Sequence, residues 1–193
     1  LTVEQQTAMG SYRIASKRYW LGTDVMGRDL LSRLLHGLRV SLGVGFIAVL
    51  ISIGIGASLG AVAGYFKGKV DLWISWLINV VWSIPSLLLV IAFSLALGKG
   101  MWQVFLAVGL TMWVDVARIV RGQVLALREQ EFVTAAKAMG FGHLRIIFRH
   151  LLPNVVGPVI IMAASNFATA ILVESGLSFL GLGVQPPTAS LGM

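Results

Sequence analysis

From residue 40 to residue 66 no side chain carries a charge, and residues 72–97, 101–122 and 154–182 are nearly as apolar. Coiled as a helix, residues 40–66 extend about 40 Å at 1.5 Å per residue. The hydrocarbon layer of a bilayer is roughly 30 Å thick, so a tilted helix of that length crosses it. Backbone polar groups in hydrocarbon need internal partners, which a helix supplies. The four runs therefore predict an all-α, polytopic transmembrane helical bundle. Composition agrees: 57% of the 193 residues are hydrophobic and 12% charged, against about 25% charged in an ordinary soluble domain. With no cysteine, nothing points to a disulfide scaffold or a thiolate metal site. The net charge of +7 resides in basic residues flanking apolar runs, which suits lipid headgroups better than nucleic acid.

Within the first span, Ala48, Ser52, Gly56, Gly60 and Gly64 recur at every fourth position. Such a row of small residues lets another helix approach closely. Its partner is either a neighbour in the same chain or a second subunit. Gly64-Tyr65-Phe66-Lys67-Gly68-Lys69 fails the phosphate-loop spacing, and Val70 stands where Ser or Thr is needed. No other stretch reads as a nucleotide site. In the second span Pro85 follows Asn79 and Ser83. A proline inside a helix removes a hydrogen bond and kinks it. Asn79 and Pro85 are therefore candidates for a pathway or gate, together with Asn166 and Glu174 in the fourth span. Counted from Pro153, Asn166 lies about 20 Å along that helix and Glu174 about 31 Å, near the far interface. In the third span Asp115 and Arg118 are three apart and suited to pairing. Their position toward the end of the span predicts snorkelling to headgroups.

Residues 1–39 are polar and form a segment outside the bundle with a short lead-in helix. Asp24 and Asp29 are read as a local Asp–Arg pair and a helix cap rather than a metal site. The remaining interruption, residues 129–153, has the periodicity of two short amphipathic helices. Phe132, Val133, Ala136 and Met139 share one face. Leu144, Ile147, Phe148 and Leu151 share another, with Arg145 and Arg149 opposite. Gly140 and Gly142 stand between the halves, where a reversal favours φ > 0. Pro153 suits the first turn of the following helix.

Those residues carry a family resemblance. Ala135-Ala136, three residues, Gly140, then Leu152-Pro153 resembles the cytoplasmic loop of permease subunits of bacterial ABC importers. Its consensus is Glu-Ala-Ala, three residues, Gly, nine residues, Ile, any residue, Leu-Pro. Thr134 replaces the Glu and His150 the Ile. Arg149-His150-Leu151-Leu152-Pro153-Asn154 and the Gly22-Thr23-Asp24 and Gly27-Arg28-Asp29 runs resemble the peptide and nickel branch. The resemblance implies a type I importer permease, forming half of a translocation pathway for peptides or a related small solute, nickel included. It implies a multi-pass protein of the bacterial inner membrane, a second and paralogous permease subunit, two ATPase subunits and an extracytoplasmic binding protein. Glu131, Thr134, Ala135, Ala136, Lys137, Gly140, Arg145, Arg149, His150, Leu152 and Pro153 would form the ATPase-coupling loop. Ser52, Gly56, Gly60 and Gly64 would pack helices. ATP hydrolysis would belong to the partner subunits. No catalytic residue, cofactor or metal is expected on this chain. The family has six transmembrane helices, and the first and last are expected outside residues 1–193.

Parity puts 67–71 and 123–152 on one side of the membrane. With Arg118 and Arg121, that side holds eight of the fifteen lysines and arginines. The charge rule leans weakly toward calling it cytoplasmic, and the resemblance assigns it so. Two other classes remain. A secondary transporter or channel needs intramembrane acid–base pairs for ion coupling, and Asp115 and Glu174 supply few. A membrane-embedded hydrolase needs a nucleophile and base or a metal pair, and His36, His143 and His150 form no such pattern.

Overall fold

The structure, a computed structural model, describes residues 19–24, 27–98 and 100–183. The polar residues 1–18 and the Pro-Pro segment after Gly183 lie outside the described residues. Asp24 pairs with Arg28 at 2.9 Å and Arg33 at 3.3 Å. The Asp29 carboxylate accepts from the Leu31 amide and caps α1 (Leu30–Phe66). The lead-in helix and the first span are thus one helix of 37 residues.

Lys67 and Gly68, both at positive φ, reverse the chain into α2 (Gly68–Trp82). The helix expected over 72–97 is broken rather than kinked. α2 and α3 (Ser86–Leu97) meet at 89°. Pro85 is the cause. It has no N–H to continue the ladder, and its ring disfavours the helical conformation at Ile84. The Ile84 amide turns back to the Val81 carbonyl, ending α2, and Pro85 caps α3. After Gly98, at φ +87, α4 runs over Met101–Leu127, five residues past the expected end of its span. α5 (Glu131–Ala138) and α6 (His143–Ile146) follow. A π-helical turn (Ile147–Leu151) and a 3₁₀ turn (Leu152–Val155) lead directly into α7 (Val156–Phe179). Three helical stretches are long and apolar enough to cross a membrane, Leu30–Phe66, Met101–Leu127 and His143–Phe179, or four if α2 and α3 make one span.

α1 and α4 form the central pair. The row of small residues faces α4 of the same chain. A Cβ at Gly56 would come 2.5 Å from the Trp113 carbonyl oxygen and 2.7 Å from Val116 Cβ. One at Gly60 would come 2.5 Å from the Ala117 oxygen, and one at Gly64 2.8 Å from the Arg121 oxygen. Ser52, in the same row, is fully buried. Contacts this close put backbone against backbone, with the dispersion and Cα–H···O contacts that replace a hydrophobic drive inside lipid. On the far side of this seam Gly109 fits Ile51 of α1. α7 lies across both helices and α2–α3 against the outer face of α4. One buried cluster gathers Val44, Ala48, Val104, Val108, Ala170 and Leu177 at the N-terminal end of α4. Another gathers Ala61, Tyr65, Val120 and Val124 with the residues of the hairpin between α4 and α7.

Candidate functional site

The hairpin of residues 131–155 closes the end of the bundle where α1 and α4 finish. Val133 and Ala136 of α5 are buried, as are Ile146, Ile147, Leu151 and Val155 beyond the turn. All six pack on Ala61, Tyr65, Val116, Val120 and Val124. α5 stops because the Phe141 amide reaches the Ala136 carbonyl at 3.1 Å and the Gly140 amide the Lys137 carbonyl at 2.9 Å. That pair of bonds is a Schellman cap. It places Gly140 at φ +76, a conformation only glycine adopts cheaply. Gly142, at φ −64, does not use that freedom and simply precedes α6.

The opposite surface faces outward. Phe132, Met139, Leu144 and Phe148 are 39%, 64%, 68% and 60% exposed. Glu131, Thr134, Ala135, Lys137, Arg149 and Pro153 share this exposed character, while Leu152 is half-buried. Two expected faces are thereby corrected. Ala136 and Val133 turn inward while Phe132 and Met139 stay exposed, because at about 100° per residue the four side chains fan over roughly 120° of arc and only one edge of that arc meets the bundle. In the second half the expected set Leu144, Ile147, Phe148, Leu151 splits. The π turn adds a residue to the repeat, so Ile146 and Ile147 share the inner face with Leu151 while Leu144 and Phe148 are released. Arg145 stacks over Phe141 at 4.4 Å, and the Phe141 ring lies on His150 at 5.8 Å. These three side chains brace the turn.

Polar contacts that the periodicity did not reveal tie the hairpin to α1. The Tyr65 hydroxyl and His143 Nδ1 are 2.8 Å apart. Lys67 reaches Glu129 at 2.5 Å, and the Arg128 guanidinium donates to the Tyr65 carbonyl. The hydrogen bond and charge of Lys67 hold the Glu129 carboxyl below its usual range. Arg121 grips Asp71 of α2 through two bonds, 2.5 and 2.8 Å. Each pairing joins residues at least 50 positions apart. Only the fold brings them together.

The other sequence candidates fall into two groups. Glu174 is fully buried, accepting from Ser41 and Ser178 at 2.7 Å each. Asn166 donates to the Ser52 hydroxyl at 3.3 Å and the Met112 carbonyl at 3.4 Å, and one edge of it lines a cavity of about 190 Å³. Pro85 lines an adjoining cavity of about 200 Å³. Asn79 lies on a third, beside Arg118 and Arg121. The expected Asp115–Arg118 pair does not form: Arg118 sits 4.2 Å from the centre of the Trp82 ring. With α4 extended to Leu127, Asp115 stands 14 residues from one end and 12 from the other, near mid-helix. Among the described residues no cluster of acids and histidines has the arrangement of a metal site.

Solved structures with this arrangement exist. The chain superposes on the inward-facing MetNI methionine ABC transporter with a TM-score of 0.71, over 80% of this chain and 77% of that one, at 20% identity. A second crystal form of that transporter gives 0.67 at 21% identity. The fold is that of type I ABC importer permeases. Residues 56–193 match the family of binding-protein-dependent transport system inner membrane components, and the chain belongs to that family. The oligopeptide transport system permease protein OppC of Bacillus subtilis is 40% identical over 177 residues, 92% of this chain and 58% of the relative. The dipeptide permease DppC of the same organism is 44% identical over 178 residues, 92% and 56% respectively. The glutathione transport system permease GsiD of Pectobacterium atrosepticum is 39% identical over 177 residues. The chain thus spans less than three-fifths of the length of each of these relatives.

Proposed function

We propose that this chain is the permease subunit of an ATP-driven importer and forms half of a translocation pathway for peptides. The observation that carries this reading is the two-sided hairpin. Its inner face is fixed to α1 and α4, and its outer face offers apolar side chains with Lys137 and Arg149 beside them. A rigid hairpin on the end of a membrane bundle suits mechanical coupling, since a docked partner that moves must move the bundle with it. The names of the relatives support peptides as the solute class. In this reading the hairpin faces the cytoplasm of a bacterium and seats on an ATPase subunit. ATP binding to a pair of such subunits biases two states of the bundle. A second, paralogous permease subunit completes the pathway, and a binding protein outside the inner membrane delivers the solute.

The chain would do no bond chemistry of its own. The test is reconstitution in proteoliposomes with candidate ATPase, second permease and binding-protein subunits from the same organism. Peptide uptake that requires ATP and all four components is expected. Uptake that persists without the ATPase would replace this reading with a channel or secondary transporter. ATP hydrolysis by the purified chain alone would refute it outright.

A further inference from the structure

We propose that Asp115 is the point at which the pathway holds the protonated amino group of the transported solute, an inference that rests on the importer reading above. Asp115 is an acid near the middle of a membrane-crossing helix, where a charge is expensive unless it meets water, a partner or a substrate. It lines both the cavity between α3, α4 and α7 and the cavity at the α2–α3 break. Ser86, the first residue of α3, and Thr111 of α4 are common to the two walls. Among the described residues no hydrogen bond or ion pair within 4 Å reaches Asp115. The nearest cation on its own helix, Arg118, acts on it only at a distance and is seated against Trp82.

The neighbouring polar groups are arranged to accept. The Thr111 hydroxyl donates to the Ala107 carbonyl at 2.8 Å, and the Thr169 hydroxyl donates to the Ser165 carbonyl at 3.0 Å. Their lone pairs remain. The Asn166 amide nitrogen is committed to Ser52 and Met112, which leaves its carbonyl oxygen to accept. A wall with one negative charge and several acceptors whose hydrogens are already engaged is complementary to a compact cation with three donors. A primary ammonium is such a group. Every peptide with a free N-terminus carries one, so a site of this kind grips peptides without reading their side chains. The break at Ser83–Pro85 adjoins the same carboxylate, where a change in the angle between α2 and α3 would open or close the pocket.

The experiment uses the complete reconstituted transporter and a defined mixture of two- to five-residue peptides, with uptake of each measured by mass spectrometry. Asp115→Asn is expected to lower ATP-driven uptake of all of them tenfold or more. Recovery of the complex and ATP hydrolysis stimulated by the binding protein should stay within twofold of wild type. Asp115→Glu should keep at least half the uptake. Uptake by Asp115→Asn within twofold of wild type overturns the proposal. So does a loss confined to peptides containing Lys or Arg, which would place side-chain recognition there instead. Loss of the second permease subunit from the purified Asp115→Asn complex would make the acid a subunit contact and overturn it as well. Failure of the wild-type assembly to import any peptide would instead sink the importer reading, and this inference with it.

Discussion

The α1–α4 seam and the hairpin beyond it are both helix-on-helix contacts, held by opposite means. Along the seam the partners meet where side chains are missing, at Gly56, Gly60 and Gly64. Under the hairpin they meet through side chains, with Val133, Ala136, Ile146 and Leu151 inserted into the end of the bundle. The seam has no room to adjust, because the atoms opposite are backbone. The hairpin has an inner face that fixes it and an outer face that is free to be used. A structural contact and a working contact can therefore be distinguished by what each tolerates.

The seam should break most completely. Gly60→Leu places four carbons where even a Cβ would lie 2.5 Å from the Ala117 carbonyl oxygen. Overpacking costs about 1–3 kcal/mol when neighbours can move, and backbone cannot. Membrane abundance of Gly60→Leu should fall at least tenfold. Gly54→Leu, on the same helix with open space around it, should accumulate normally. Equal abundance of the two would remove the distinction.

Next comes the inner face of the hairpin. Ala136→Asp buries a carboxylate among apolar side chains with no partner, at a cost of several kcal/mol. The protein should still insert, since Ala136 lies outside the spans. Limited proteolysis of vesicles should cut between residues 129 and 153 in the variant and not in wild type. An unchanged digestion pattern would show that α5 is not held as described.

The outer face should be quieter structurally and louder functionally. Leu144→Ser combined with Phe148→Ser removes two exposed side chains, so abundance and protease resistance should match wild type. Co-purification with the proposed ATPase partner should drop several-fold. Retention of the partner by this double variant would move the docking surface elsewhere.

The smallest effect belongs to the Lys67–Glu129 contact. Its depressed carboxyl pKa means the contact contributes above the ordinary glutamate range and is lost as pH falls through the depressed value. The protection factor of the 127–131 amides, their exchange relative to the intrinsic rate at each pH, should fall on acidification below the ordinary range in wild type. Glu129→Gln should show the lower protection already at neutral pH and little further change. An exposed ion pair contributes little, so transport should barely respond.

Much of this contrast was legible in the residues themselves. The four-residue repeat from Ser52 to Gly64 announced a close helix contact, since small residues have few other uses in an apolar run. Gly140 announced a left-handed turn, and the structure puts it there. The faces of the hairpin were not legible, because hydrophobic spacing assumes 3.6 residues per turn and the π turn at Ile147–Leu151 does not keep it. The five residues that α4 adds beyond 122 were not legible, because the length needed to cross a membrane does not set where a helix ends. Arg118 and Arg121 lie within the helix, as expected, but their partners, Trp82 and Asp71, could not be read locally. Pairings across 50 or more residues, such as Asp71 with Arg121, leave no local trace in a sequence.

The passage from hairpin to last span has a mechanical consequence. From His143 to Phe179 the chain is helical without a break for 37 residues, about 55 Å at a uniform α-helical rise. Only 17% of its apolar window is buried within the chain, against 67% for Met101–Leu127. It is a rod held at both ends, by the buried hairpin residues Leu151 and Val155 and by the Glu174–Ser41 bond to α1. A tilt of about 5° at the hairpin end carries the tip, and the Glu174–Ser178 turn with it, through roughly 5 Å over that length. A shift of that size would pull Glu174 away from Ser41, so a small rotation at the hairpin is read at the far end as the breaking of that buried contact.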